Sequence, residues 1–182
     1  MRKFLFLPLL ALLASCGKNE DCDIVTPQPE DLVSPALYAT LSQSSTDPYN
    51  GPLEVLPCET NGSFYIGNYT AKGKQVPFPA YYLITNGIGK SQKYPLRLPV
   101  GTYNVIYWGY PDYFGTAGDA YLADPTLIIG KKLNTTSLGL RKIPGDTVYY
   151  PIHSLVYGTQ NINIGKDDLQ AHLKHASAAL SV

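Results

Sequence analysis

From Ala36 to Ile164 the chain never sustains one hydrophobic pattern for more than a strand's length. Its apolar or alternating runs are Leu37–Leu41, Leu53–Leu56, Ser63–Tyr69, Tyr81–Ile84, Tyr94–Leu98, Thr102–Trp108, Thr126–Ile129, Val148–Tyr150, Ser154–Tyr157 and Ile162–Ile164. Gly, Pro and Asn turns separate them, and runs this short at this spacing are strand-sized. Composition agrees. Fifteen Tyr, 16 Gly and 15 Pro stand beside four Glu and one Met, so strand and turn formers outweigh helix formers. With 45% hydrophobic residues the chain can bury a core. The expected fold is all-β, an antiparallel sandwich or barrel.

The first residues belong to something else. Met1-Arg2-Lys3 is a short positive start, and Phe4–Leu13 is an apolar run broken only by Pro8. Ten apolar residues make about 15 Å of helix, half of a hydrocarbon core of roughly 30 Å, so this is a cleaved secretory signal and not a span. Leu13-Ala14-Ser15-Cys16 resembles the lipobox of bacterial lipoproteins, which implies cleavage before Cys16 and acylation of that residue. Residues 1–15 then form the signal peptide, 16–35 a lipid-anchored tether rich in Pro and polar residues, and 36–182 the β domain, expected to be incomplete at its C-terminus because the chain stops inside an apolar run. Without Arg2 and Lys3 the mature chain holds 12 basic and 14 acidic side chains. Glu20, Asp21 and Asp23 loosely resemble the acidic signals that send lipoproteins of Bacteroides-type bacteria to the outer face of the outer membrane.

With Cys16 acylated, Cys22 and Cys58 remain. They either pair, closing a loop worth roughly 3–4 kcal/mol in the chain-entropy model, or stay as two free thiols. The C-terminal stretch is two-sided as well. Leu169, Leu173, Ala176 and Leu180 form a helical stripe that Asp167 and Asp168 would cap, and on pattern alone a helix is expected.

Several kinds of chemistry find no support. The charge balance, 14 basic against 14 acidic residues, argues against nucleic-acid binding. Gly89-Lys90-Ser91 has the order of a phosphate loop, but Ile84 stands where its first Gly belongs and Pro95 follows too soon for a helix. A β-turn between strands is the better reading. His153, His172 and His175 lack the partners of a metal set, and neither a nucleophile elbow nor a Cys–His pair is present, so no enzyme and no cofactor are expected. Aromatic residues concentrate at Tyr103, Tyr107, Trp108, Tyr110, Tyr113 and Phe114. As a strand, Thr102–Trp108 is apolar on both faces, which places Trp108 inside the protein. Tyr110, Tyr113 and Phe114 follow in a loop where exposed rings could stack on sugars. Asp146-Thr147-Val148 matches the short acceptor pattern for O-glycosylation in Bacteroides-type periplasms, which makes Thr147 a candidate.

Leu98-Pro99-Val100-Gly101-Thr102-Tyr103-Asn104-Val105-Ile106-Tyr107-Trp108-Gly109 resembles the "LPxGxYxVxxWG" strand of fimbrillin-type proteins, and most nearly that of the FimB-type fimbrial anchor family of Bacteroides-like bacteria. Ser154–Gly158 resembles that family's "xLxYG" segment, and Leu169–Val182 its following strand, against the helix read from pattern alone. Such proteins have two transthyretin-like β-sandwich domains of Greek-key type in series, and this chain has material for the first. The resemblance implies a surface lipoprotein of the cell outer membrane, palmitoylated at Cys16, whose partners are lipid and fimbrial subunits. Stalk subunits of this kind are cut by an arginine-directed protease after an N-terminal strand. Here Arg97 and Arg141 are the only arginines after Cys16, too far along for such a cut. That favours an anchor over a stalk. A surface carbohydrate-binding lipoprotein and an inactive gene fragment are the alternatives.

Overall fold

A computed structural model describes residues 27–41, 47–60, 64–109, 122–123, 126–133, 139–140 and 155–175. The fold is all-β: apart from a 3-10 turn at Pro29–Asp31, the regular elements are strands. In chain order they are β1 (Leu32–Val33), β2 (Leu37–Leu41), β3 (Gly51–Glu59), β4 (Asn68–Tyr69), β5 (Gln75–Val76), β6 (Ala80–Thr85), β7 (Ile88–Ser91), β8 (Leu98–Pro99), β9 (Gly101–Gly109), β10 (Leu122–Ala123), β11 (Gly139–Leu140), β12 (Val156–Ile164) and β13 (Leu169–His175).

Seven of them close a circuit in the order β12-β13-β2-β7-β6-β3-β9. Five, β7-β6-β3-β9-β12, form a continuous antiparallel sheet, whose longest ladder pairs β9 with β12 from Gly101↔Ile164 to Gly109↔Val156. The remaining two, β13 and β2, pair in parallel from Leu169↔Leu37 to Leu173↔Leu41. A purely antiparallel fold was expected, so this pair is a correction. Parallel pairing here joins residues more than a hundred positions apart, and no local pattern encodes that. The two layers meet at thin joints. One register pair, Tyr38↔Ile88, links β2 to β7, and two, Val156↔His175 and Tyr157↔Lys174, link β12 to β13.

The core lies inside this circuit. Leu37 and Ala39, Leu53 and Val55, Tyr82 and Ile84, Val105 and Tyr107, Ile162 and Ile164, and Leu169, Ala171 and Leu173 point inward by simple alternation and are fully or almost fully buried. Tyr107 fills the centre with a polar tip. Its hydroxyl donates to Gln160 Oε1 at 2.6 Å, and the same oxygen accepts from Gln170 N at 2.8 Å. Gln160 Nε2 reaches Asp168 O at 3.3 Å. One side chain thus supplies bonds where β12 and β13 have parted. Among the described residues no buried side-chain nitrogen or oxygen lacks a partner.

The C-terminal stretch resolves as a strand. Leu169, Ala171 and Leu173 are buried, while Gln170, His172 and Lys174 are exposed, a period of two that the i, i+4 leucines had disguised as a helix. Asp167 and Asp168 cap no helix. Asp167 accepts from Asn163 N and Asp168 from Ala36 N, which ties the β12–β13 turn to the start of β2. Residues 176–182 lie outside the described region.

Two expected strands are loops. Tyr94 O still accepts from Tyr81 N of β6, but residues 95–97 run without a strand partner because side chains take their backbone groups. Asn68, buried, donates to Pro95 O and accepts from Arg97 N, the Tyr82 hydroxyl accepts from Leu96 N, and Ser34 donates to Leu96 O. Thr126–Ile129 leads into a turn, held by Gly130 N to Tyr65 O and Tyr65 N to Lys131 O. Conversely, the runs expected at Ser154–Tyr157 and Ile162–Ile164 merge into the single strand β12. Structure also begins earlier than Ala36, since β1 pairs with β8 at Leu32↔Pro99 and Val33↔Leu98. The Val148–Tyr150 run lies outside the described residues. The phosphate-loop lookalike is β7 itself, and the turn precedes it: Asn86 (φ 50°) and Gly87 (φ 77°) make a two-residue hairpin to β6.

Gly109 closes β9 between β3 and β12, facing Leu53 and Val156. A Cβ there would lie 2.3 Å from Pro52 O and 2.7 Å from the Tyr49 hydroxyl, so the strand approaches its neighbour too closely for any side chain. Gly109→Ala is therefore expected to lower stability by about 1–3 kcal/mol, read from urea unfolding. An unchanged midpoint would mean that the Tyr49–Pro52 segment gives way freely. Gly101 is an ordinary first residue of β9, without a positive φ.

Candidate assembly interface

The three segments that resemble fimbrial anchors lie side by side. Tyr107, Trp108 and Gly109 of β9 face Gly158, Tyr157 and Val156 of β12, and Val156 and Tyr157 in turn pair with His175 and Lys174 of β13. Their inward residues build the core and their outward residues build a surface. On the outside, one row of register partners crosses five strands: Tyr81 on β6, Glu54 on β3, Trp108 on β9, Tyr157 on β12 and Lys174 on β13.

Trp108 occupies the middle of this row, half-buried, and its Nε1 donates to Glu54 Oε2 at 2.6 Å. This corrects the expectation of a core tryptophan. Period-two alternation puts Tyr103, Val105 and Tyr107 inside and Trp108 outside, where Glu54 satisfies the indole N–H and neighbouring strands cover part of the ring. Tyr157 beside it is 47% exposed. A second apolar spot sits at the β2–β7 joint, where the register partners Tyr38 and Ile88 are 42% and 62% exposed.

A smaller cover packs on the outer face of β3. Leu56 and Cys58 are fully buried beneath Tyr65, which forms an isolated bridge with Cys58 and donates its hydroxyl to Pro77 O at 3.0 Å. Pro57 O accepts from Ile66 N on the edge that β6 no longer covers, so the missing N–H of Pro57 falls where no ladder bond is required.

Cys58 is a free thiol whose pKa burial pushes from 9.0 up to about 12, with the Glu59 carboxylate adding to the effect. Burial drives Tyr65 and Tyr107 well above their ordinary value of 10.0 in the same direction. Between pH 9 and pH 12 the unfolded chain releases these protons and the folded chain keeps them. Stability present below pH 9 is thus lost as pH rises towards 12. Urea unfolding from pH 8 to pH 11 is expected to show a falling midpoint with Cys58 inert to alkylating reagents. A flat profile would refute the buried thiol.

The sequence-derived candidates distribute unevenly. Cys16, Cys22, His153 and Thr147 lie outside the described residues, as do Tyr110, Tyr113, Phe114 and Arg141. Arg97 is half-buried just before β8, and its backbone is held by Asn68. His172 bonds Thr40 Oγ1 through Nδ1 at 3.0 Å on the outer face of β13 and β2. Among the described residues no three His, Cys, Asp or Glu side chains assemble as a metal site. The row through Trp108 was not read from the sequence. Knowing the register of β3, β6 and β12 against β9 would have revealed it.

Outward aromatics on a β frame, with the Trp108 indole N–H already bonded to Glu54, suit contact with another polypeptide. This is a structural β module built for assembly. The chain belongs to the fimbrillin-A associated anchor proteins, Mfa1 and Mfa2, whose family model matches residues 25–182. No curated protein and no solved structure matches it.

Proposed function

We propose that the protein is a lipoprotein of the outer membrane, displayed outward, that anchors or caps a fimbrium in cell adhesion. The family match across residues 25–182 carries this reading. Two features support its finer parts. Leu13-Ala14-Ser15-Cys16 supplies the attachment signal. The N-terminal residues are also woven into the fold, because β1 holds β8, and β2 lies between β13 and β7. Removing them would strip two strands from the domain. An anchor keeps this segment together with its lipid, and Arg97 lies too deep in the chain for a productive cut.

The test is purification of fimbriae from cells with and without the intact gene. Rods that co-purify with this protein, and that are shed into the medium when it is deleted, support an anchor. Rods retained on cells lacking it would overturn that role.

A further inference from the structure

We infer that the surface around the β4–β5 hairpin is a second membrane contact, which lays the domain against an anionic lipid surface. The inference rests on the lipid attachment at Cys16 proposed above. The Pro27 carbonyl would lie 3.0 Å from a Cβ at Gly73, so the described chain starts against the Thr70–Lys74 turn joining β4 to β5. Eleven positions separate Cys16 from Pro27 (27 minus 16), at most about 40 Å when fully extended. An acylated Cys16 therefore keeps this end of the domain near the bilayer.

That end has the composition of an interfacial surface. Phe78, two residues after β5, is 53% exposed, and Ile128 and Ile129 are 49% and 38% exposed. They belong to one neighbourhood. The Ile129 side chain and the Val76 carbonyl crowd the same side of Gly67, at 2.9 and 2.6 Å from where its Cβ would be. Phe78 stacks on Tyr94 with centroids 5.9 Å apart. Exposed lysines surround them: Lys72 and Lys74 on the hairpin turn, Lys93 with its ammonium 5.3 Å from the Tyr94 ring, and Lys131 in the turn after Ile129. Glu30 and Asp31 beside the entry oppose them, with Asp31 engaged by Gln28 N. Apolar side chains that reach past a lysine rim are what a headgroup boundary accommodates, with each lysine drawn to anionic lipid.

The test uses the mature chain from residue 16 carrying Cys16→Ser, so that acylation plays no part, in flotation with phosphatidylcholine vesicles with and without phosphatidylglycerol. Binding is expected only with phosphatidylglycerol, weakening with salt. Lys72→Gln and Lys74→Gln should each reduce it about fivefold, and Phe78→Ser should reduce it further. Thermal melting of each variant, expected to be unchanged, separates lost binding from lost folding. Equal binding to both vesicle types, or none, would overturn the proposal. So would variants that float normally but lose the fimbrial subunit, since that places a protein on this surface. Acylation is read separately, from the intact mass of the wild-type protein made in its host. If that mass shows no lipid, the attachment reading fails whatever the vesicles show.

Discussion

Tyr107→Ala is expected to destabilise the folded chain by about 3–5 kcal/mol, a large fraction of what a domain of this size has. The side chain is fully buried at the centre of the core, and its hydroxyl is bonded to Gln160. Truncation would leave a cavity between β9 and the parallel pair, and would remove one donor from the group that bridges β12 to β13. Trp108→Ala, one residue along, is expected to cost about 1–2 kcal/mol, because half-buried outer-face area is lost and no core cavity forms. Thermal melts of the two variants side by side make the check. Equal losses, or a larger one for Trp108, would mean that the inside and outside of β9 have been exchanged. Tyr107→Phe isolates the hydroxyl. Gln160 Oε1 keeps its bond from Gln170 N, so the loss should be near 1 kcal/mol.

Cys16→Ala is expected to release the protein from the membrane almost completely. Two or three acyl chains at about 0.8 kcal/mol per buried methylene make attachment close to permanent, and any single protein–lipid contact is weak beside it. Fractionation of cells making wild type and mutant decides the matter. A mutant that stays in the membrane pellet like wild type would refute acylation at Cys16.

Sequence reading went furthest where one strand could be judged alone. Leu37–Leu41 matches β2 residue for residue, and the Thr102–Trp108 run lies inside β9, because alternation and β-favouring side chains are local properties. The β6–β7 hairpin was missed: the turn was expected at Gly89-Lys90-Ser91, which is strand, although Asn86-Gly87 just before it is a strong two-residue turn signal. Failures came where a backbone's partner is not another strand. Residues 95–97 have the look of a strand, yet Asn68, Tyr82 and Ser34 claim their bonds, and nothing in those three residues announces it. For β13 the error was one of period, since Leu169 and Leu173 fit both readings and only burial of Ala171 decides between them. The outer row through Trp108 depends on how four strands align with β9. Alignment is a property of the assembled sheet, invisible in any one strand.

The parallel pairing of β2 with β13 has a mechanical consequence. In a parallel pair, a pull that enters ahead of β2 and leaves beyond β13 grips the two strands at opposite ends. They must slide past one another, and the five rungs from Leu37↔Leu169 to Leu41↔Leu173 share the load together. An antiparallel pair gripped by the same two points would be opened like a zipper, one rung at a time. Optical-trap pulling on residues 27 and 175, compared with a grip at 37 and 169, should register the higher rupture force for the first. A protein that holds a filament against drag would carry tension along its stiffest direction.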